Sequence, residues 1–211
     1  MKALKRKTVF LFDFDGTLMQ SNAIKREAFF TAISDHPEAI DTLRHILDGP
    51  NPGDRYAVFR ELERRLPDID ATERTRAYGD ISERAILEAE EVTGASALLE
   101  TLHDRGAAAV INSATPEAPL REVVAQLRFA RWVNSVHGGP AAKAENARQA
   151  LSKLGQDPHD AVVIGDGEND HACARELNCA FIAIDSDGND FVTPPTVRSP
   201  DLATVLRWLQ S

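Results

Sequence analysis

Thr8-Val9-Phe10-Leu11-Phe12-Asp13-Phe14-Asp15-Gly16-Thr17-Leu18 is the stretch from which the fold can be read. β-Branched and aromatic residues fill Thr8 to Phe14 and stop at an acidic turn, the pattern of a short strand buried on both faces. Asp13 and Asp15 are spaced i, i+2, which in an extended backbone turns both carboxylates to the same side. Gly16 then lets the chain turn sharply, and Thr17 is placed to hydrogen-bond back and order the loop. Two carboxylates this close repel, which raises one pKa unless a cation intervenes. A metal on one carboxylate and acid/base duty on the other is the separation of roles that phosphoryl transfer needs. An Asp-x-Asp pair by itself is commonly a helix cap or a solvated turn, so the case depends on the rest of the chain.

Outward from this run, four more apolar segments read as strands: Ala107 to Asn112, a weaker Arg131 to Val136, Ala161 to Ile164 and Cys179 to Ile184. Helical spacing separates them over Ala95 to Asp104, Glu117 to Arg128, Ala144 to Leu154, Asn169 to Leu177 and Asp201 to Leu209. Strand and helix in alternation predict an α/β fold with a doubly wound, parallel, Rossmann-like sheet. The interval from Met19 to Val92 breaks the alternation and offers only helical stretches, near Asn22 to Ser34, Pro37 to Leu47, Asp54 to Leu66 and Ala71 to Glu91. Breaks at Asp35-His36-Pro37, Gly49-Pro50-Asn51-Pro52-Gly53 and Pro67-Asp68 divide them, with Asp54 and Asp70 as N-caps. These features predict an inserted all-helical subdomain, residues 19–92, above the end of the first strand, and a core of residues 1–18 and 93–211. Asp185 to Pro200, rich in Gly, Pro, Asp and Asn, predicts a mobile loop.

Ligands in open α/β sheets bind beyond the carboxyl ends of the strands, and here those ends collect reactive residues. Val162-Val163-Ile164-Gly165-Asp166-Gly167-Glu168-Asn169-Asp170 delivers Asp166 to a strand end, with Asp170 one helical turn on. Carboxylate oxygens of this kind suit a hard ion such as Mg²⁺; Glu168 and Asn169 read as a capping turn. Lys143 opens a helix, where a cation opposes the helix dipole and an anionic partner would compensate it. Ser113 has a hydroxyl and an N–H suited to phosphate oxygens. Thr115 is the better-placed cap for the helix that follows Pro116.

With 211 residues, 43% of them hydrophobic and 27% charged, the chain has the composition of a soluble globular protein with one core plus a smaller subdomain. Its formal charge of −9 argues against non-specific nucleic-acid binding. Asp13 and Asp15 interrupt the first apolar run before a signal-peptide core can form, and no stretch approaches a membrane span. Cys173 and Cys179 form no CxxC pair, so a disulfide framework is unsupported and a reducing cytoplasm is the expected compartment.

The combined pattern resembles the haloacid dehalogenase-like (HAD) hydrolases across the whole chain in outline. Asp13-Phe14-Asp15-Gly16-Thr17 matches that family's first motif, Val110 to Ser113 the second, Lys143 the third and Gly165 to Asp170 the fourth, in the family's order. The resemblance implies a Mg²⁺-dependent phosphatase of a small phosphorylated metabolite, of the phosphoglycolate phosphatase and phosphoglucomutase-like type with a C1 cap. It implies that Asp13 forms an aspartyl-phosphate and that Asp15 serves as acid, then base. Mg²⁺ would be held by Asp13, Asp15 (through its backbone carbonyl) and Asp166, with Asp170 in support. Ser113 and Lys143, with Gly16, would bind the phosphoryl group. Cap residues Gln20, Ser21, Asn22 and Lys25 are candidates for leaving-group contacts, and Arg55, Tyr56 and Arg60 form a weaker set. Asp15 argues against the dehalogenase branch, which has no acid there. Lys25, the cap's one lysine, sits beside Arg26 on a surface-like face, which ranks a Schiff-base hydrolase low. A sugar-phosphate mutase on the same core is the alternative, and a non-catalytic binding protein of this fold comes third. Neither a nucleic-acid nor a membrane partner is expected; monomer and dimer both stay open.

Overall fold

The structure is a computed structural model in which residues 4–49, 52–185 and 191–211 are described. Pro50 and Asn51 of the second helical break, and residues 186–190 of the predicted mobile loop, lie outside them. The chain divides into two compact units, Ser21–Glu88 and the combination of Met1–Gln20 with Ala89–Ser211.

The first of these is helical: α1 (Asn22–Thr31), α2 (Ile40–Leu47), α3 (Arg55–Arg65) and α4 (Ala71–Leu87). Asp54 and Asp70 cap α3 and α4, the Asp54 carboxylate accepting from the Ala57 amide at 2.8 Å and the Asp70 carboxylate from those of Thr72 and Glu73 at 2.8 and 2.9 Å. Ile33, Leu43, Phe59, Leu62 and Tyr78 form the unit's own core. The Phe29 ring lies 4.2 Å from that of Tyr78 and 5.3 Å from that of Phe59. Buried Arg74 on α4 ties in the α1 end, donating to the Ala32 carbonyl at 3.1 Å and to Asp35 at 2.7 Å. The helix ends at Leu87, short of the predicted Glu91. The backbone beyond it turns away to pair with the segment around Leu18 and Gln20, Gln20 N–H donating to Glu90 and Val92 N–H to Leu18, each at 2.9 Å.

The second unit is a parallel sheet of six strands among the described residues: β1 (Val9–Phe12), β2 (Ala108–Pro116), β3 (Ser135–Gly139), β4 (Ala161–Gly165), β5 (Ala180–Ile184) and β6 (Arg198–Ser199). Their order is β3-β2-β1-β4-β5-β6. The helices α5 (Ala95–Asp104), α6 (Glu117–Gln126), α7 (Lys143–Leu154), α8 (Glu168–Leu177) and α9 (Leu202–Gln210) connect and cover it. Val9 and Leu11 pack with Val110, Val163, Ala147, Leu151 and Cys173 on the side of α7 and α8. Phe10 and Phe12 alternate to the opposite face and are also buried. Each such side chain removed from water contributes roughly 1.5–3 kcal/mol.

Two strand assignments shift. The predicted Arg131–Val136 strand is a 3-10 turn over Arg128–Trp132, burying Phe129 and Trp132, and the extended segment begins only at Ser135. Within the predicted Asp185–Pro200 loop, Arg198 and Ser199 pair with Ala183 and Ile184 as β6. Both cysteines are free thiols, and burial pushes Cys173 up to about 12. No helix of the described residues is long and apolar enough to cross a membrane.

Candidate active site

β1 stands at the point where the sheet's order reverses, with β2 on one side and β4 on the other. Phe12 is level with Ile111 and with Ile164, so the residues that follow these three positions emerge together at one edge. The Asp13 amide continues the ladder one step further, donating to the Ile164 carbonyl at 2.9 Å. Topology alone therefore brings Asp13, Ser113 and Asp166 to one place.

Lys143 opens α7 and its ammonium reaches back to Asp13 Oδ1 at 2.6 Å and Asp170 Oδ1 at 2.7 Å. Its position is set by two asparagines: Asn112 donates to the Lys143 carbonyl at 2.8 Å, and Asn146 to the Gly138 carbonyl at 3.1 Å. The unfavourable cation at a helix start thus has its anionic partners. All three charged groups of this cluster are buried, Asp170 almost completely.

Asp13, Asp166 and Asp170 each bring a carboxylate oxygen within 4.8 Å of the others. Asp170, assigned only a supporting place from the sequence, is a full member of this triad. Gly165 makes that possible: a Cβ there would stand 2.2 Å from Asp170 Cγ. The carboxylate of Asp15 lies elsewhere, with its Oδ2 accepting from the Thr115 hydroxyl at 3.1 Å.

The electrostatics show a shortage of positive charge. Burial raises the Asp13 pKa well above the ordinary carboxylate range; Asp170, Asp166 and Asp15 add to this against the opposing pull of Lys143. Burial likewise raises Asp170, partly offset by Lys143. For Lys143 burial favours the neutral amine, but Asp13 and Asp170 outweigh it and hold the ammonium charged. Four carboxylates and one ammonium leave a deficit of positive charge that a divalent cation would largely offset. An all-oxygen set suits a hard ion such as Mg²⁺, so these residues fit the metal that the sequence implied.

Several expectations are corrected. Gly16 does take the left-handed turn, with φ 74°. Its N–H, however, donates to the Met19 carbonyl at 2.8 Å, so its contribution is the turn rather than an amide for phosphate. Thr17 does not order the loop through its hydroxyl: Oγ1 is buried with no hydrogen-bond partner among the described residues. Thr115 does not cap α6, whose N-cap is Pro116 without a side-chain bond. Glu168 pairs with Arg175 at 2.7 Å and accepts from the Val192 amide at 3.1 Å. Of the other candidates, Gln20 is exposed and approaches the Glu91 carbonyl at 3.4 Å. Ser21, Asn22 and Lys25 belong to the helical unit, where Ser21 is fully buried, Asn22 exposed and Lys25 half-buried. Arg55 stacks over Tyr78 with its guanidinium 4.7 Å from the ring, Tyr56 is exposed, and Arg60 donates to the Tyr56 carbonyl.

The supporting roles of Asn112, Asn146 and Thr115 were missed from sequence. Asn112 beside the Ser113 position is the one local signal, since an amide at a buried strand end needs a partner.

Among solved structures, CbbY from Rhodobacter sphaeroides in complex with phosphate is similar at 18% identity over 97% of this chain and 100% of that one, with TM-score 0.76. A candidate β-phosphoglucomutase from Thermotoga maritima gives 18% identity over 95% and 99%, with TM-score 0.76. A haloacid dehalogenase-like family hydrolase from Streptococcus pneumoniae gives 21% identity over the full length of both chains, with TM-score 0.72. At these identities the likeness is one of fold. Comparison with curated protein sequences gives no match. The family model for haloacid dehalogenase-like hydrolases matches residues 7–178, a span that includes both the Asp13 loop and the Asp166–Asp170 turn. This chain therefore belongs to the haloacid dehalogenase-like hydrolases.

Proposed function

We propose that the protein is a Mg²⁺-dependent phosphatase that hydrolyses a small phosphorylated metabolite through an aspartyl-phosphate on Asp13. The observation that carries this reading is the Asp13 carboxylate held at 2.6 Å by a buried lysine, within the Asp166–Asp170 cluster. Phosphoryl transfer requires positioning and charge neutralisation above all; the cluster positions the nucleophile, and Lys143 begins the neutralisation. Mg²⁺ would be held by Asp13, Asp166 and the Asp15 backbone carbonyl with Asp170 close by, and when bound it supplies neutralisation of the phosphoryl charge.

Asp13 attacks phosphorus as the bond to the leaving oxygen breaks, and Asp15 gives that oxygen its proton. Asp15 then takes a proton from water as the water oxygen bonds to phosphorus and the Asp13–phosphorus link breaks. Lys143 and the Ser113 hydroxyl bind phosphoryl oxygens throughout. The helical unit, as the family's C1 cap, is assigned substrate selection, with Gln20, Ser21, Asn22 and Lys25 as the candidate residues.

The test is a phosphate-release screen with Mg²⁺ over sugar phosphates, nucleotides, phosphoglycolate and polyol phosphates. Asp13→Asn is expected to lower turnover at least about 10⁴-fold, as loss of a covalent nucleophile does, while circular dichroism stays that of the wild type. Lys25→Ala is expected to raise KM for the best substrate and leave a small aryl phosphate unaffected. Movement of phosphate between two positions of one sugar, without release, would replace the phosphatase reading with that of a mutase.

A further inference from the structure

We propose that Thr115 is a positioning residue for Asp15, holding its carboxyl in the one orientation from which it passes its proton to the leaving group. This rests on the phosphatase reading above. Thr115 Oγ1 lies 3.1 Å from Asp15 Oδ2, a side-chain contact between the ends of two strands. A threonine hydroxyl has one proton to donate. Given to Asp15 Oδ2, that proton fixes how the carboxyl is turned.

The local backbone is built around this contact. Asn112 pairs with His137 and Pro116 with Gly139, so Ser113, Ala114 and Thr115 span a gap that a single residue, Gly138, spans on β3. Such a bulge re-aims side chains that a regular ladder would send to alternate faces. A Cβ on Gly138 would meet the Thr115 carbonyl oxygen at 2.4 Å and Glu117 Cα at 2.6 Å, so the close approach requires glycine. The Gly138 amide is in turn fixed by the Glu117 carboxylate at 3.2 Å. Within the bulge the Thr115 N–H donates to Ser113 Oγ at 3.1 Å. Ser113 can then give its own hydroxyl proton to a phosphoryl oxygen. One three-residue segment thus connects the group that grips phosphate with the group that protonates the leaving oxygen. The hydroxyl of Thr115 serves this contact instead of the α6 cap, the usual employment of a threonine one or two residues before a helix.

In the first half-reaction the Asp13–phosphorus bond forms, the phosphorus–oxygen ester bond breaks, and the Asp15 proton moves to the departing oxygen. A poor leaving group depends on that proton and a good one hardly does. The test compares Thr115→Val and Thr115→Ser with wild type on 4-nitrophenyl phosphate and phenyl phosphate, both with Mg²⁺. It reads kcat/KM, which reports the step in which the leaving group departs. Thr115→Val is expected to lose about tenfold or more on phenyl phosphate beyond its loss on 4-nitrophenyl phosphate, in line with general-acid contributions, and Thr115→Ser to restore the ratio. Equal losses on both esters, or no loss, would overturn the positioning role while the phosphatase reading stands. A wild type inert towards both esters would take down both.

Discussion

At the scale of single residues the site is a problem of charge. Asp13, Asp166 and Asp170 crowd their oxygens within 4.8 Å, and Lys143 is the ammonium that contacts two of them. Buried carboxylates in that situation hold protons that they would lose in water, and Asp13 is raised for this reason. A cation that binds only the folded state stabilises it by mass action, by about 2.7 kcal/mol at one hundred times its dissociation constant. Mg²⁺ is therefore expected to raise the thermal midpoint of the wild type. Asp166→Asn, which removes one oxygen anion, should shrink that increment while raising the midpoint measured in EDTA. A calorimetric scan with and without Mg²⁺ checks both signs; an undiminished increment in the variant would remove Asp166 from the metal shell. Asp13 and Asp166 were legible in the sequence because each ends an apolar run, with Asp170 one helical turn on and Lys143 at a helix start. Their pairings were not. Nothing local says that Lys143 would take Asp170 as a second partner, or that Thr115 would turn to Asp15 instead of its own helix, since both contacts are made across the sheet edge.

Among the elements, β4 and α8 illustrate how backbone and chemistry constrain each other. Gly165 ends the strand, and the Asp170 side chain occupies the space where its Cβ would stand, 2.2 Å from Cγ. Gly165→Ala is accordingly expected to displace Asp170 from Lys143 and from the metal, lowering kcat by about 10²-fold, the scale of an ångström-sized misplacement. Activity at saturating Mg²⁺ measures this, and a variant with wild-type turnover would show that Asp170 has no fixed role. The glycine is plain in the sequence, but its partner, a side chain five residues on, is not. The same limit explains β3 and β6. An apolar run reports burial, and Phe129 and Trp132 are buried in a 3-10 turn as well as they would be in a strand. The two residues of β6 are too few to carry any periodicity. Where caps and period agree, as for α3 after Asp54 and α5 from Ala95 to Asp104, the reading and the structure coincide closely.

For the whole molecule, the sequence break between Met19 and Val92 translates into a unit, Ser21–Glu88, with its own core of Ile33, Leu43, Phe59, Leu62 and Tyr78. A segment of this size buries barely enough surface to be stable alone, but its helices are capped by Asp54 and Asp70 and cross-tied by Arg74. The isolated segment Ser21–Glu88 is expected to show helical circular dichroism and a cooperative, low thermal transition. A random-coil spectrum would mean that this core needs the rest of the chain. The α/β unit is different in kind, because its middle strand comes early in the sequence. β1 finds its neighbours only at Ala108 and Ala161. On the ribosome Val9-Phe10-Leu11-Phe12 is therefore completed long before either partner exists, an apolar strand waiting with two open edges. Lys5, Arg6 and Lys7 stand directly before it and Asp13 and Asp15 directly after. Charges flanking a sticky segment discourage its pairing with other nascent chains. The aspartates read here for chemistry thus also guard the strand that presents them until β4 arrives.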